Sequence, residues 1–301
     1  MNPSAALINR NTKLFFKDKG MFLTSLITPL LLLVLYATFL AGIYRDGLVS
    51  AVPAGLLTDK MTDGFVAGQL CSSLLAVCCI TVAFNSNLLT VQDKISHARS
   101  DLTVTPVRGS AMAVGYFVST AIVTGIVCFV TLGAGFLYIY LSGWYLSLAD
   151  VLLACLDVLL LTLFGTALAS CVNFFLSTQG QLSAVSAVIC SCYGFICGAY
   201  MPIASFSSRT LRNVISFLPG TYGTSLIRNH LMGGIFKELA EQGIPEYGIR
   251  ALADSVDCNV YFFENRVTVP VMYAVFGGAI IILAAVYVLF NVISSRKAER
   301  N

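Results

Sequence analysis

Six stretches of this chain run for about twenty residues or more with almost no charged side chain, and that decides the solvent in which it folds. Crossing about 30 Å of hydrocarbon takes roughly 20 apolar residues as a helix. The windows lie near 21–44, 65–91, 111–141, 151–175, 182–201 and 269–293. Charged residues are 11% of the 301, against about 25% in a soluble domain, too few to cover a water-facing surface. A membrane β-barrel needs alternating segments of about 10 residues, and the sequence has none. The expected fold is an all-α polytopic membrane protein with six transmembrane helices.

Ahead of the first window, Leu7, Ile8, Leu14 and Phe15 share one helical face and Arg10, Lys13 and Lys17 the other. Residues 1–20 therefore read as an amphipathic interfacial helix at an anionic leaflet. The apolar run that follows is too long for a cleaved signal peptide. Basic residues near the span ends set orientation. With the N-terminus inside, the inner side collects Arg10, Lys13, Lys17, Lys19, Lys94, Arg99, Arg108, Arg296, Lys297 and Arg300, and the short outer loops hold only Arg45 and Lys60. Both termini are expected in the cytoplasm. Nine of the ten cysteines fall in apolar windows and read as small hydrophobes; Cys258 stands outside them, with no external partner in its own chain.

Two polar regions interrupt the apolar pattern. In 92–110, Ile95, Ala98 and Leu102 share a helical face, ringed by Asp93, Lys94, His97 and Asp101, and Pro106 stops the helix. A short helix tied at both ends to spanning helices suits force transfer from a soluble partner; a solvated connector would read the same. In 202–266, Leu211, Val214, Ile215 and Leu218 repeat at helical spacing up to Pro219-Gly220. A second short piece, 222–232, is expected to stop at Gly233-Gly234. The pair reads as a re-entrant hairpin, followed by a small helical cap over 236–263.

Enzymatic chemistry finds no constellation. His97 and His230 are placed on opposite sides of the membrane, which excludes a two-histidine metal site and leaves no histidine at the depth of the one clearly intramembrane acid, Asp157. An ionisable group inside a span is a functional candidate by default; reaching water at the outer interface, or pairing across a subunit boundary, are the alternatives. Asn85 and Asn87 are read as interhelical hydrogen-bonding residues that could also line a path. Gly64-x-x-x-Gly68 and Gly194-x-x-x-Gly198 are read as close-approach motifs. No GxxxxGK[ST] occurs, so the chain itself holds no ATP in a P-loop.

The segment from Asp93 to Gly115, with TVTPVR at its centre, resembles the corresponding segment in permeases of ABC-2 type transporters. GAYMPIASF and FLPGTYGTSLIRNHLMGG are similar to that family's pattern after the fifth span. Gly198 and Pro202 match its Ser-Gly-aromatic-x-Pro element, with Cys197 in place of the serine; Pro219, Thr221, Tyr222 and Arg228 match its Pro-x-Thr-Tyr and following arginine. The resemblance covers residues 1–301 as a single transmembrane domain. It implies an exporter subunit in a bacterial cell membrane, a second permease subunit beside it, and two separate ATPase subunits carrying ATP and Mg, with no cofactor on this chain and no nucleic-acid partner. The ATPase-coupling helix would be Asp93, Lys94, Ile95, His97, Ala98, Arg99, Asp101 and Leu102, with a secondary contact at Gln179. The outer gate would be Gly198, Pro202, Pro219, Thr221, Tyr222 and Arg228, and Asn85, Asn87 and Asp157 are candidates for the pathway. A drug, peptide antibiotic or lipid fits the aliphatic span faces, with a lipid-linked polysaccharide as the alternative cargo. An ion-driven secondary carrier and a non-transporting scaffold are the competing classes; the first would need more intramembrane ionisable groups than Asp157.

Overall fold

The computed structural model describes residues 3–52, 57–98, 109–263 and 265–298. The elements are α1 (Pro3–Lys17), α2 (Lys19–Leu35), a π-helical turn (Tyr36–Leu40), α3 (Ala41–Ala51), α4 (Asp59–Ser86), α5 (Leu88–Ile95), α6 (Gly109–Ser142), α7 (Leu148–Phe174), α8 (Gln179–Ile196), a 3-10 turn (Ile203–Ser205), α9 (Arg209–Ser216), α10 (Pro219–Glu241), α11 (Glu246–Ser255), a two-residue antiparallel pair β1 (Tyr261–Phe262) and β2 (Asn265–Arg266), and α12 (Val269–Ala298). Among the described residues, five helical stretches are long and apolar enough to cross a membrane: Lys19–Ser50, Asp59–Ile95, Gly109–Ser142, Leu148–Phe174 and Val269–Ser294. The chain is an all-α polytopic membrane protein.

The window at 182–201 is the exception. Its helix, α8, has 18 residues, about 27 Å at 1.5 Å per residue, and ends at Ile196 rather than Met201. Gly198 takes φ +73°, and the N–H groups of Ala199 and Tyr200 both return to the Gly194 carbonyl, an αL helix stop. Gly194 and Gly198 are therefore not a helix-packing pair. A Cβ on Gly194 would strike the Tyr200 ring at 2.2 Å, and one on Gly198 the Asp257 carboxylate at 2.5 Å.

The core is organised on α4, whose apolar window lies wholly inside the bundle. A helix hydrophobic on all sides belongs at a bundle centre. Its small residues let neighbours approach at backbone distance, as membrane helices do without a hydrophobic drive between them. A Cβ on Gly68 would lie 2.9 Å from the Leu231 carbonyl oxygen of α10, and one on Gly64 would lie 3.0 Å from the Gly143 carbonyl oxygen in the α6–α7 link. From the other side, Gly165 of α7 presses on the Cys79 carbonyl at 2.7 Å.

The amphipathic N-terminal helix has a more definite seat than a membrane surface alone. Ser4 bonds Ala111, Leu7 fills the notch at Gly115, Asn11 bonds Ser119, and Phe15 packs with Val123. Steps of about four on each side place α1 alongside the first four turns of α6. Its apolar stripe is seated on protein, with Leu14 and Phe16 left at the surface.

Two boundaries differ from the sequence reading. The Gly233-Gly234 pair does not stop the second half of the hairpin; α10 runs on for 23 residues to Glu241. Gly234 is there because the Tyr145 carbonyl sits against it, 1.9 Å from where a Cβ would stand. The cap over 236–263 also contains β1 besides helix. Cys258 is buried, and its carbonyl accepts from Ser225 and Asn229 of α10; the thiol is inaccessible to a second chain.

Gly234→Ala should force backbone displacement where α10 meets the α6–α7 link. The expected result is a melting temperature several degrees lower in detergent, consistent with an overpacking penalty of about 1–3 kcal/mol. Gly133→Ala, whose Cβ would meet nothing within 4 Å, should melt as the wild type does.

Candidate functional site

At the α5 end of the bundle, two charged residues turn inward. Asp93 is 5% exposed. Arg10 of α1 grips its carboxylate with both terminal nitrogens at 2.7 and 3.0 Å, and the Tyr116 hydroxyl of α6 donates to it at 2.6 Å. Lys94 donates to three carbonyls at the end of α7: Asn173 (3.2 Å), Phe174 (2.6 Å) and Leu176 (3.1 Å). A cation over the exposed carbonyls of a helix C-terminus is favoured by the helix dipole. Val91 packs with Leu176 and Leu182 beneath this clamp, bringing α5, the α7–α8 link and the start of α8 together.

Asp93 and Lys94 thus anchor α5 within its own chain. The continuous helix expected from Asp93 to Leu102 is broken: α5 ends at Ile95, the backbone turns through Ser96, and His97 takes φ +62° before Ala98 is helical again. Gln92 and Lys94 carbonyls accept the Ser96 and His97 N–H groups, closing the turn. Ile95, Ser96 and His97 are exposed, with Ala98 half-buried, and Gln179 is exposed at the neighbouring start of α8. Arg99, Asp101 and Leu102 lie outside the described residues.

The α4–α5 junction is pinned by Asn87, fully buried. Its amide donates to Thr120 of α6 and Ser170 of α7, both at 3.2 Å, and accepts from Asn173 at 3.0 Å. Asn85 reaches the Thr24 carbonyl of α2 at 3.5 Å. Both asparagines make interhelical bonds, as membrane-embedded amides do.

At the opposite, cap end, the hairpin residues fall into two groups. Pro219 occupies the first turn of α10, where its missing N–H is no loss. Thr221 and Tyr222 then donate back to the last carbonyls of α9, at Ile215 (3.1 Å) and Ser216 (2.6 Å). Arg228 lies one helical face away, with no exposed surface. It donates to the Ser73 hydroxyl of α4 at 3.0 Å and the Gly198 carbonyl at 2.9 Å, and stands 3.7 Å from Asp257. Asp257 accepts the Ile203 N–H at 2.8 Å, just beyond Pro202. Arg228 and Asp257 therefore tie together α4, the end of α8, α10 and the cap. The sequence motif points to Arg228; nothing in the sequence singles out Asp257 among the acids of the cap.

Asp157 is neither solvated nor vacant. It is 1% exposed, with His230 Nδ1 at 2.6 Å from one carboxylate oxygen and the Tyr273 hydroxyl donating to the other at 2.6 Å. The expectation that no histidine shares its depth is overturned. His230 sits inside the longer α10, at the level of α7 and α12, and the partner of Asp157 comes from its own chain.

The described residues matched by motif, at Asp93 and Lys94 and from Gly198 to Arg228, lie in one bundle around α4. A model of the ABC-2 type transporter family matches residues 4–232, well over half of the 301. The chain belongs to the ABC-2 type transporter family. It is a permease, the transport subunit in the membrane rather than the catalytic one, in a family whose members associate with ABC ATPases. Comparison with curated proteins finds no match.

Burial pushes the Asp257 carboxyl up to about 6, against the opposing pull of Arg228 and the Ile203 and Ala204 N–H groups. A carboxyl raised above its ordinary ~3.9 contributes its stability in full below that value and loses it as pH rises through about 6. Thermal unfolding of the purified permease should therefore show a component of stability that falls between about pH 4 and pH 6. Asp257→Asn should flatten that component while lowering stability overall, because Arg228 loses its counter-charge.

Proposed function

We propose that this permease is the membrane subunit of an ATP-driven exporter, worked by two ATPase subunits that dock at the α5 end and hold the ATP and Mg. The observation that carries the reading is the inward bracing of Asp93 and Lys94. A push on the exposed Ile95–His97 turn passes through two charge-assisted clamps into α1, α6 and α7. Gln179 supplies the neighbouring contact. The basic residues of α1, Lys94 and the C-terminal tail support a cytoplasmic location for this end by the positive-inside rule. The cap then faces outward in a bacterial cell membrane.

Two hollows that meet at the start of α10, one at the cap and one among the spans, support an amphipathic cargo. One, about 540 Å³, combines apolar surface with the polar side chains Arg212, Asn213, Asp254 and Tyr261; the other, also about 540 Å³, is almost wholly apolar, with Phe164, Ile196 and Leu283. Both reach Thr221 at the start of α10. A drug, peptide antibiotic or lipid combines the two surfaces in one molecule, which a compact anion does not. Gly198, Pro202, Pro219, Thr221, Tyr222 and Arg228 then act as the frame of the outer gate. The small exposed face of α8 (Gly180, Ala184, Ala187, Ser191) fits a second permease subunit.

In proteoliposomes of the permease with its ATPase, Ile95→Asp should lower cargo-stimulated ATP hydrolysis by more than about tenfold, as loss of a buried apolar anchor at an interface does. Membrane insertion should be unchanged, and Ile95→Leu should stay near wild type. Full stimulation in Ile95→Asp would remove the docking role of this turn. The dimer face has its own check. Cys192 is the exposed cysteine of the ten, so mild oxidation of a homodimer joined through α8 should yield a cross-linked dimer that Cys192→Ser abolishes.

A further inference from the structure

The Asp157, His230 and Tyr273 cluster has a feature that the transport reading does not use. Three helices meet at one carboxylate: α7 gives Asp157, α10 gives His230 and α12 gives Tyr273. Both carboxylate oxygens are taken by short bonds, and the imidazole stacks on the phenol with centroids 6.2 Å apart and planes 27° apart. With a neutral imidazole the cluster carries one full negative charge, almost entirely withdrawn from water.

The charges around it leave that negative charge uncompensated. On α10, Arg228 is turned toward Ser73, Gly198 and Asp257. Lys237 and Glu238 lie about two turns further along. On α7, Asp150 is two turns outward, adds a second negative charge and is held by Ser147. The apolar windows of α4, α6 and α12 contribute no Lys, Arg, Asp or Glu, and α12 offers the Tyr273 hydroxyl alone. On α11, Asp254 is engaged by Asn259 and Tyr261, and Glu246 and Arg250 lie on the same helix. A lone buried charge is strongly disfavoured, whereas a carboxylate against an imidazolium is neutral as a pair. One proton on the second ring nitrogen supplies that neutrality.

Resting on the permease reading, we infer that this cluster is a proton-binding site: a proton from water on the cap side binds His230 Nε2 while α10 is packed on α7 and α12, and returns to that water when α10 moves away. The exchange route is short. His230 keeps a narrow exposed edge, and one turn further, at Gly234, begins a polar cavity of about 370 Å³ with Ser147, Asp150, Lys237 and Glu238. Because α10 also carries Pro219, Thr221 and Arg228, the proton is bound and released together with movement of the gate.

Two measurements test this separately from the permease reading. His97 and His230 are the only histidines, so in a His97→Gln background imidazole ¹⁵N NMR reports His230 alone and needs neither ATPase nor cargo. Both ring nitrogens should be protonated at neutral pH, and the spectrum should revert to that of a neutral imidazole in Asp157→Asn. A neutral ring with Asp157 intact would overturn the site. In permease–ATPase proteoliposomes, changing only the cap-side pH from about 6 to 8, across the range where histidines commonly titrate, should alter ATP hydrolysis several-fold. His230→Gln, which can still donate to Asp157, should lose most of that response, whereas Tyr273→Phe should keep it with the midpoint displaced. A charged ring with an unchanged response in His230→Gln would reduce the cluster to a structural ion pair and also overturn the proposal. No partner-dependent hydrolysis in the wild type would instead count against the permease reading, and the NMR result would still decide the proton site.

Discussion

Everything in this bundle depends on how closely backbones approach α4. In hydrocarbon, helix association draws on van der Waals contact and interhelical hydrogen bonds rather than on expulsion of water. α4 meets that constraint with glycine, serine, cysteine and alanine where its neighbours touch it. Gly68 admits the Leu231 carbonyl, Gly64 admits the α6–α7 link, and Cys79 receives Gly165. These contacts fix α10 and α7 at a separation at which His230 can reach Asp157 and Arg228 can reach Ser73. The polar sites at both ends are products of that spacing.

A second pattern is the pairing of polar groups within the spans. Asn87 is met by Thr120, Ser170 and Asn173, Asp157 by His230 and Tyr273, and Arg228 by Ser73 and the Gly198 carbonyl. In each case the partners come from different helices, so each group specifies how the helices assemble. Polar side chains in a membrane interior are costly alone and directional when paired. Asn87 sits at the α4–α5 break and Arg228 reaches the turn that ends α8, while Asp157 and His230 lie within continuous helices.

Much of this was legible in the sequence, and the reason is physical. Apolar length reports hydrocarbon thickness directly, so the helices at 109–142, 148–174 and 269–298 lie within a few residues of their windows, α12 alone running on several residues further at its end. Local chemistry was also legible in Asn87, which bonds across helices, whereas Pro219-Gly220, read as the stop of one helix, is the start of the next. What escaped was anything set by tertiary approach. Gly233-Gly234 has the composition of a helix stop, yet Gly234 is the site of a backbone crossing. Reading 222–232 as part of an outer hairpin placed His230 away from the spans and left Asp157 without its partner, 73 residues away in sequence. Asp93 and Lys94 have the look of a solvated helix face because charge pattern does not reveal which carbonyls or guanidinium wait nearby. Periodicity likewise missed the turn at Ser96–His97, which contains no glycine or proline.

The Lys94 clamp on the last carbonyls of α7 has a mechanical meaning. From Asn173 back to Asp157 is about 24 Å of uninterrupted helix at 1.5 Å per residue. A helix of that length, held inside a packed bundle, transmits axial displacement as a stiff rod. Motion imposed at one end of α7 therefore arrives at Asp157 as translation, without a chain of rotamer changes between them. Between those two points α7 has the build of a strut.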